Sequence, residues 1–149
     1  MRSYYIRKYP ISVIRLFSLY GDKQNKGLVF DTLHSAKTKK FFPTSLGNQL
    51  KDFCHIDDVI DAIFKILFSK KTNGEIFNVG YGKPFFVKEV ISYIVRKINY
   101  GKPKWGAIKL KNSDNIYFYP SIEKIKKQVN WSPKINLEIG INNLIKNYK

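Results

Sequence analysis

The sequence predicts an α/β fold, because apolar, β-branched segments alternate along the chain with amphipathic helical ones. Residues 11–19 are apolar and β-branched between Pro10 and Gly21, as expected for a buried parallel strand. Residues 87–98 instead carry their apolar side chains at helical spacing. No fixed repeat and no flexible linker interrupts the 149 residues, so we expect one unit spanning residues 1–149.

The remaining elements follow from the same two periodicities. Helices are predicted for residues 28–36, 57–69, 87–98, 121–129 and 137–148, and extended segments for residues 41–42, 51–56, 75–79 and 103–110. Residues 3–9 read as the end of a further helix, which Pro10 stops. In the second helix Asp57 or Asp58 is the expected cap. The apolar face expected for that helix consists of Val59, Ile60, Ile63, Phe64 and Leu67.

The charge of the chain suggests an anionic ligand. The formal net charge is +16, which keeps a nucleic-acid-binding domain open as an alternative. Lysine supplies 23 of the 27 cations and is scattered, whereas proteins that read nucleic-acid grooves favour arginine, so we expect mostly solvated surface lysines. A single cysteine argues against a disulfide framework. With no apolar run long enough for a membrane span or a signal peptide, we expect a cytoplasmic protein.

Five motifs occur in a fixed order along the chain. They are Arg-Leu-Phe-Ser-Leu-Tyr-Gly at 15–21, Lys-Asp-Phe-Cys-His-Ile-Asp-Asp-Val at 51–59, Phe-Asn-Val-Gly at 77–80, Asn-Trp-Ser-Pro at 130–133 and Leu-Glu-x-Gly at 137–140. This succession resembles the C-terminal half of the NAD-dependent epimerase/dehydratase family, the extended short-chain dehydrogenase/reductases that act on nucleotide sugars. It is most similar to UDP-glucose 4-epimerase-like members. The resemblance implies the C-terminal part of a Rossmann-type fold with its small substrate-binding subdomain.

The resemblance also implies what this stretch of sequence lacks. Members of the family, which are isomerases and oxidoreductases, hold NAD on a Gly-x-x-Gly-x-x-Gly turn and use a Tyr-x-x-x-Lys pair, both upstream of the part matched here. The three Tyr-x-x-x-Lys strings present, at Tyr4, Tyr93 and Tyr100, are close to the roughly 1.5 expected by chance, and we assign them no role. We therefore expect a truncated or split enzyme that does not bind NAD or turn over substrate alone, whose partner would be a separately encoded N-terminal half. An inactive remnant that only binds nucleotide sugars is the alternative.

Several residues acquire substrate-binding roles from the resemblance. Lys51 stands at the family's arginine that contacts the diphosphate of a UDP-sugar, although it could be an ordinary surface lysine. Lys111 and Asp114 stand where relatives carry a phosphate-binding cation and a ribose-binding carboxylate, although an ordinary polar loop is equally compatible. The remaining residues implied as substrate contacts are Ser18 at the family's asparagine, Gly27, Leu28 and Phe42 near the base, and Phe53 beside the base or ribose unless it is a core residue.

No catalytic residue and no metal site is assigned from the sequence. Asp57 and Asp58 are adjacent at a helix start, where capping explains them without chemistry. Cys54 and His55 are neighbours on an extended segment and should point to opposite faces, which argues against a catalytic dyad. His34 is a lone histidine on a predicted helix and is expected at the surface.

Overall fold

The computed structural model describes residues 9–111, 114 and 116–148. Its strands are short and lie in pairs or in one three-stranded sheet. Three parallel pairs join β1 (Val13–Leu16) to β6 (Ile76–Val79), β2 (Leu19–Tyr20) to β5 (Cys54–His55), and β3 (Phe41–Pro43) to β8 (Lys102–Lys104). A further sheet has β4 (Leu50–Lys51) at its centre, antiparallel to β7 (Phe85–Phe86) and parallel to β9 (Tyr117–Phe118). The chain is thus a mixed α/β structure, as predicted.

Among the described residues, five α-helices connect these strands. They are α1 (Leu28–Thr38), α2 (Ile56–Leu67), α3 (Val87–Ile98), α4 (Glu123–Val129) and α5 (Leu137–Asn147), with a 3-10 turn at Lys70–Thr72. The predictions made for these five helices are confirmed to within two residues at each end. The predicted helix end before Pro10 falls almost entirely outside the described residues. Within the described segments, no helix has the length and apolarity to cross a membrane.

Two apolar clusters form the core. In the first, α1 and α3 pack together with α5, and their buried residues include Leu33, Ile94 and Ile141. In the second, α2 and α4 cover one face of the β1–β6 pair around Phe77 and Trp131. Each cluster is built from the apolar stripes of its helices. Burial of these stripes stabilises helices that would be too short to form alone.

The predicted strand 11–19 is wrong in one respect, because the structure divides it into β1 and β2. After Leu16 the chain bends, and the ring of Phe17 packs on Phe118 with 4.8 Å between centroids. β1 then pairs with β6, whereas β2 pairs with β5. The two halves of one apolar run therefore join different sheets, and no local periodicity could have revealed that division.

The predicted start and apolar face of α2 also require correction. The helix begins at Ile56 with His55 as its N-cap, whose ring nitrogen accepts the backbone N–H of Asp57. The residues it buries are Val59, Ala62 and Ile66, whereas Ile60, Ile63, Phe64 and Leu67 are exposed.

Asp58 has a different task from capping. Its carboxylate accepts the backbone N–H groups of Lys134 and Ile135, at 2.9 and 3.0 Å, and its own carbonyl accepts the indole N–H of Trp131 at 3.2 Å. Asp58 therefore fixes the segment between α4 and α5.

Candidate functional site

A cavity of about 260 Å³ lies where the carboxyl end of β3 meets the first turns of α1. Its walls include two residues predicted as base contacts, Leu28 at the start of α1 and Phe42 in β3. The other lining residues are Asp31, Thr32, Ser35, Pro43, Thr44, Ser45, Ile91, Ile108 and Leu110. The structure thus brings together residues from four separated segments to form one mostly apolar hollow.

A second cavity of about 470 Å³ adjoins the first, because both are lined by Ile108 and Leu110. Its remaining walls are Leu46, Asn48, Gln49, Gly106, Lys109 and Ile116. Gln49 and Ser45 exchange a side-chain hydrogen bond at 3.3 Å at this end of the hollow. The two cavities thus meet at residues 108–110.

Lys51 lies in β4, two residues after Gln49 of the second cavity. It is half-buried, and it stands in register with Phe85 on one side and Phe118 on the other. The backbone around it is fixed, since Leu50 donates its N–H to Ile116 at 2.8 Å. The strand therefore holds Lys51 next to a residue bonded to Ile116, which lines the second cavity.

Lys111 and Asp114 are exposed and hydrogen-bonded to each other, and Lys111 directly follows Leu110 of the cavity wall. The Asp114 carboxylate accepts the backbone N–H of Lys111 at 2.7 Å, and the Asp114 N–H donates to the Lys111 carbonyl at 2.9 Å. The carboxylate thus bonds to backbone, and Lys111 is exposed next to Leu110, a wall residue of the second cavity.

Three predicted contacts lie elsewhere. The backbone carbonyl of Ser18 accepts the Cys54 N–H at 2.9 Å in the bend after β1. Gly27 is the N-cap of α1, where its φ of +110° favours glycine, and its N–H donates to Asp31 at 3.2 Å. Phe53 lines neither cavity and packs in the first core cluster, which is the core position weighed as its alternative.

The stretches that flank the two cavities carry many cations, and the acid among the residues lining the cavities is Asp31. The sequence contains no acidic residue between Asp31 and Asp52, or between Glu89 and Asp114. The β3–β8 pair places these two stretches side by side, with Phe41 opposite Lys102 and Pro43 opposite Lys104. The cations in these stretches are Lys37, Lys39, Lys40, Lys51, Arg96, Lys97, Lys102, Lys104, Lys109 and Lys111. Mostly apolar walls, with Lys109 in the lining and further lysines in the flanking stretches, suit a ligand with an apolar ring and an anionic group.

Asp52, which the sequence reasoning gave no role, fixes the loop behind Lys51. Its carboxylate oxygens accept the N–H groups of Tyr81 and Gly82, at 2.8 and 2.7 Å. Burial raises the pKa of Asp52 above its ordinary value of 3.8, while these two hydrogen bonds oppose the rise. The signal in the sequence that could have indicated this role was an aspartate within the predicted extended segment 51–56.

The side chains considered as nucleophiles or proton donors are buried or in contact with other side chains in the structure. Cys54 is buried in the second core cluster, and burial, with the nearby Asp52 and Asp58 carboxylates, raises the pKa of its thiol, which disfavours the reactive thiolate. Tyr93, of one Tyr-x-x-x-Lys string, donates its hydroxyl to Asn142 at 3.2 Å. In a second string the Lys104 ammonium lies 5.3 Å from the ring centroid of Phe41. Among the described residues, no group of three or more His, Cys, Asp or Glu side chains could hold a metal ion.

The described residues do not fit a dinucleotide. A pyrophosphate is held by free N–H groups at a helix N-terminus after a glycine-rich turn. Every described α-helix carries its own acid in the first turn: Asp31 in α1, Asp57 and Asp58 in α2, Glu89 in α3, Glu123 in α4 and Glu138 in α5. These carboxylates would repel a phosphate, so we derive no NAD-dependent step from this part of the chain.

Comparison with solved structures defines the class of protein. The structure superposes on Pal from Bacillus thuringiensis with a TM-score of 0.88, at 25% identity and over 97% of this chain and 47% of that one. It superposes on UDP-glucuronic acid 4-epimerase from Bacillus cereus, solved with UDP-glucuronic acid and NAD, with a TM-score of 0.86, at 22% identity and over 98% and 48% of the two chains. The fold is that of the Rossmann-like extended short-chain dehydrogenase/reductases.

The sequence comparison then identifies the family. The model of the NAD dependent epimerase/dehydratase family matches residues 1–80, and the chain belongs to that family. UDP-glucuronate 4-epimerase from Thermodesulfobacterium geofontis is 31% identical over 136 residues, which cover 88% of this chain and 41% of that protein. dTDP-L-rhamnose 4-epimerase from Burkholderia thailandensis is 30% identical over 146 residues, covering 92% and 39%. The chain therefore spans less than half the length of these relatives.

The sequence reasoning missed most of the cavity lining. Thr44 is buried beside the first cavity, where its N–H and hydroxyl both donate to the Lys104 carbonyl, at 3.1 and 3.3 Å. Ile108 and Leu110, the shared walls, are exposed apolar residues between lysines. Their signal was weak, because the predicted extended segment 103–110 is a strand only over Lys102–Lys104 and then turns.

Proposed function

We propose that this chain is the substrate-binding part of a nucleotide-sugar epimerase or dehydratase and that it holds the nucleotide diphosphate of a UDP-sugar. One observation carries the proposal: two adjoining, mostly apolar cavities lie beside β3 and β8, and the lysines of the flanking stretches outnumber Asp31, the acid that lines the first cavity. A base fits against Leu28 and Phe42, and the diphosphate lies toward Lys51 and Lys111. Lysine neutralises phosphate as a point charge, without the bidentate geometry of arginine.

The redox chemistry belongs in this proposal to a dinucleotide-binding half outside these 149 residues. That half would bind NAD and carry the proton donor, and this chain alone would bind substrate without converting it. The names of the relatives support a nucleotide-sugar substrate, since they include epimerases acting on UDP-glucuronate and dTDP-L-rhamnose. We further propose a cytoplasmic location for the assembled enzyme.

Calorimetric titration with UDP-glucuronate, UDP-glucose and free glucuronate tests the proposal. Both UDP-sugars should bind with a dissociation constant on the order of 10–1,000 μM, and free glucuronate should not bind, because the nucleotide diphosphate supplies the contacts. A chain that binds neither UDP-sugar at millimolar concentration contradicts the proposal. Turnover of either sugar by the chain alone would contradict the assignment of the chemistry to another half.

Two matched lysine variants distinguish a specific binding site from general electrostatic attraction of the anionic ligand. Lys51→Ala should weaken UDP-glucuronate binding about fivefold or more, whereas Lys146→Ala, on the exposed face of α5, removes the same charge elsewhere. Equal losses in the two variants would show that only net charge attracts the ligand. The same pair tested against single-stranded DNA addresses the nucleic-acid alternative, which requires strong binding that weakens steeply with salt.

A further inference from the structure

A groove between helices α3 and α5 contains a cavity of about 380 Å³. Its volume lies in the range of small-molecule sites, about 300–1,000 Å³. The floor of the groove is apolar, because Val90, Leu137 and Ile141 line it and are buried. The groove shares no lining residue with the two cavities beside β3 and β8. It is therefore a separate concave surface, to which the proposed function assigns nothing.

The groove is lined by side chains of opposite charge. Glu89 and Arg96 line it from α3, and Glu138 lines it from the first turn of α5. All three residues are exposed, and none of them forms an ion pair with a described residue. Their charges are thus available to a ligand that has both an amine and a carboxylate.

Neighbouring residues hold the two charged side chains of α3. Glu89 accepts the backbone N–H of Phe86 at 3.1 Å, which ties its carboxylate to the start of the helix. The Arg96 guanidinium lies 5.5 Å from the ring centroid of Tyr93, within range of a cation–π interaction. Tyr93 is itself held, since its hydroxyl donates to Asn142 of α5 at 3.2 Å. Less side-chain entropy is therefore lost when these groups bind a ligand.

The spacing of these two charges indicates the length of the ligand. Glu89 and Arg96 are seven residues apart on one helix, which is about 10 Å along its axis. An extended dipeptide spans at most about 7 Å, and a hydrogen bond at each end supplies the remainder. In a free α-amino acid the amine and the carboxylate are attached to the same carbon, too close together to reach both side chains.

We propose that this groove binds a short apolar peptide with free ends. The ammonium group of the peptide contacts Glu89, and its carboxylate contacts Arg96. Its apolar side chains pack on the floor formed by Val90, Leu137 and Ile141. The ligand and the residues differ from those of the proposed function, so either proposal can fail without the other.

Titration of the isotope-labelled full chain with leucyl-leucine, followed by two-dimensional NMR, tests the proposal. The dipeptide should bind with a dissociation constant on the order of 0.1–10 mM and should shift the amide signals of Ser92, Tyr93 and Ile141. N-acetyl-leucyl-leucine and leucyl-leucine amide each lack one terminal charge and should bind at least about fivefold more weakly. Free leucine should also bind at least about fivefold more weakly, because its two charges are too close together.

A matched pair of variants tests the carboxylate contact. Arg96→Gln should weaken leucyl-leucine binding at least about fivefold and abolish the preference for leucyl-leucine over its amide. Lys97→Gln is the control and should change neither quantity. Lys97 is also exposed and lies 5.5 Å from the Tyr93 ring centroid, but it does not line the groove.

A second pair tests the amine contact. Glu89→Gln keeps an acceptor oxygen for the Phe86 N–H, so the start of α3 is preserved. It should abolish the preference for leucyl-leucine over the N-acetylated dipeptide. Glu123→Gln, at an exposed position in the first turn of α4, should leave that preference unchanged.

The proposal is wrong if leucyl-leucine at about 20 mM causes no saturable change in the spectrum. Equal affinity for the dipeptide and its acetylated or amidated forms would show that the groove does not discriminate charge. Equal affinity for free leucine would contradict the argument from spacing. Shifts confined to the residues of the cavities beside β3 and β8 would place the peptide there instead. Equal losses in a variant and its control would leave only general electrostatic attraction.

Discussion

The carboxylate of Asp52 holds the backbone of Tyr81, 29 residues further along the chain. One oxygen accepts the Tyr81 N–H at 2.8 Å, and the other accepts the Gly82 N–H at 2.7 Å. Asp52 follows directly after Lys51 of β4, and the loop it holds leads into β7, the antiparallel partner of β4. These two bonds therefore fix the strand that carries the proposed diphosphate contact.

Asp52→Asn should lower the free energy of unfolding by about 1–3 kcal/mol at neutral pH. The amide keeps one acceptor oxygen, but its NH₂ group meets a backbone N–H, so one buried donor loses its partner. Urea denaturation followed by circular dichroism measures the change. Asp22→Asn is the control, because Asp22 is exposed and its contact with Asn147 is long, at 3.4 Å. Equal stabilities for wild type and Asp52→Asn would contradict this account of the loop.

We also predict that the stability difference between wild type and Asp52→Asn depends on pH. Because burial raises the pKa of Asp52, the folded state holds this proton more tightly than the unfolded state does. The contribution of Asp52 is therefore fully present below its unfolded value near 3.8 and declines as pH rises through the higher folded pKa. The stability advantage of wild type over Asp52→Asn should accordingly be greater at low pH than at pH 7. Urea titrations of both proteins across this range measure it, and an advantage that grows with pH would give the pKa shift the opposite sign.

Gly140 in α5 allows the helix to approach Tyr20. A Cβ on Gly140 would overlap the Tyr20 hydroxyl and lie 2.7 Å from a ring carbon, and Tyr20 is one of the largest buried side chains. Gly140→Ala should therefore destabilise the protein by about 1–3 kcal/mol, despite the higher helix propensity of alanine. Asn143→Ala, at an exposed position of the same helix, should be neutral or slightly stabilising. Thermal unfolding of the two variants compares them, and a stable Gly140→Ala would mean that Tyr20 moves aside readily.

The helices were predictable because each has apolar residues at helical spacing, and the fold buries residues of that pattern. Helix α3 matches the predicted residues 87–98 at both ends, and Val90, Ile91 and Ile94 are buried as expected. Helix α2 shows the limit of this reasoning. Its apolar residues extend around most of the helix, and the sequence cannot indicate which of them the rest of this chain covers.

The site was predictable only in part, because its residues meet through long-range pairing. Leu28 and Phe42, for which the resemblance implied base contacts, line one cavity, whereas Phe53 is a core residue. Ile108 and Leu110 lie at the cavity walls because β8 pairs with β3 and the chain then turns. Neither the pairing nor the turn has a local signature in a lysine-rich segment with few β-branched residues.

Lys51→Arg should tighten the binding of UDP-sugars by about threefold to tenfold, since a guanidinium donates two parallel hydrogen bonds to a phosphate where an ammonium acts as a point charge. The β4 backbone that positions the side chain is fixed by pairing on both sides, so the longer arginine extends from the same place. Calorimetry with UDP-glucuronate measures the change, and Lys146→Arg on α5 controls for the general effect of arginine. The gain should disappear with uridine, which carries no phosphate. A gain in affinity that persists with uridine, or equal gains in the two variants, would show that Lys51 does not contact the diphosphate.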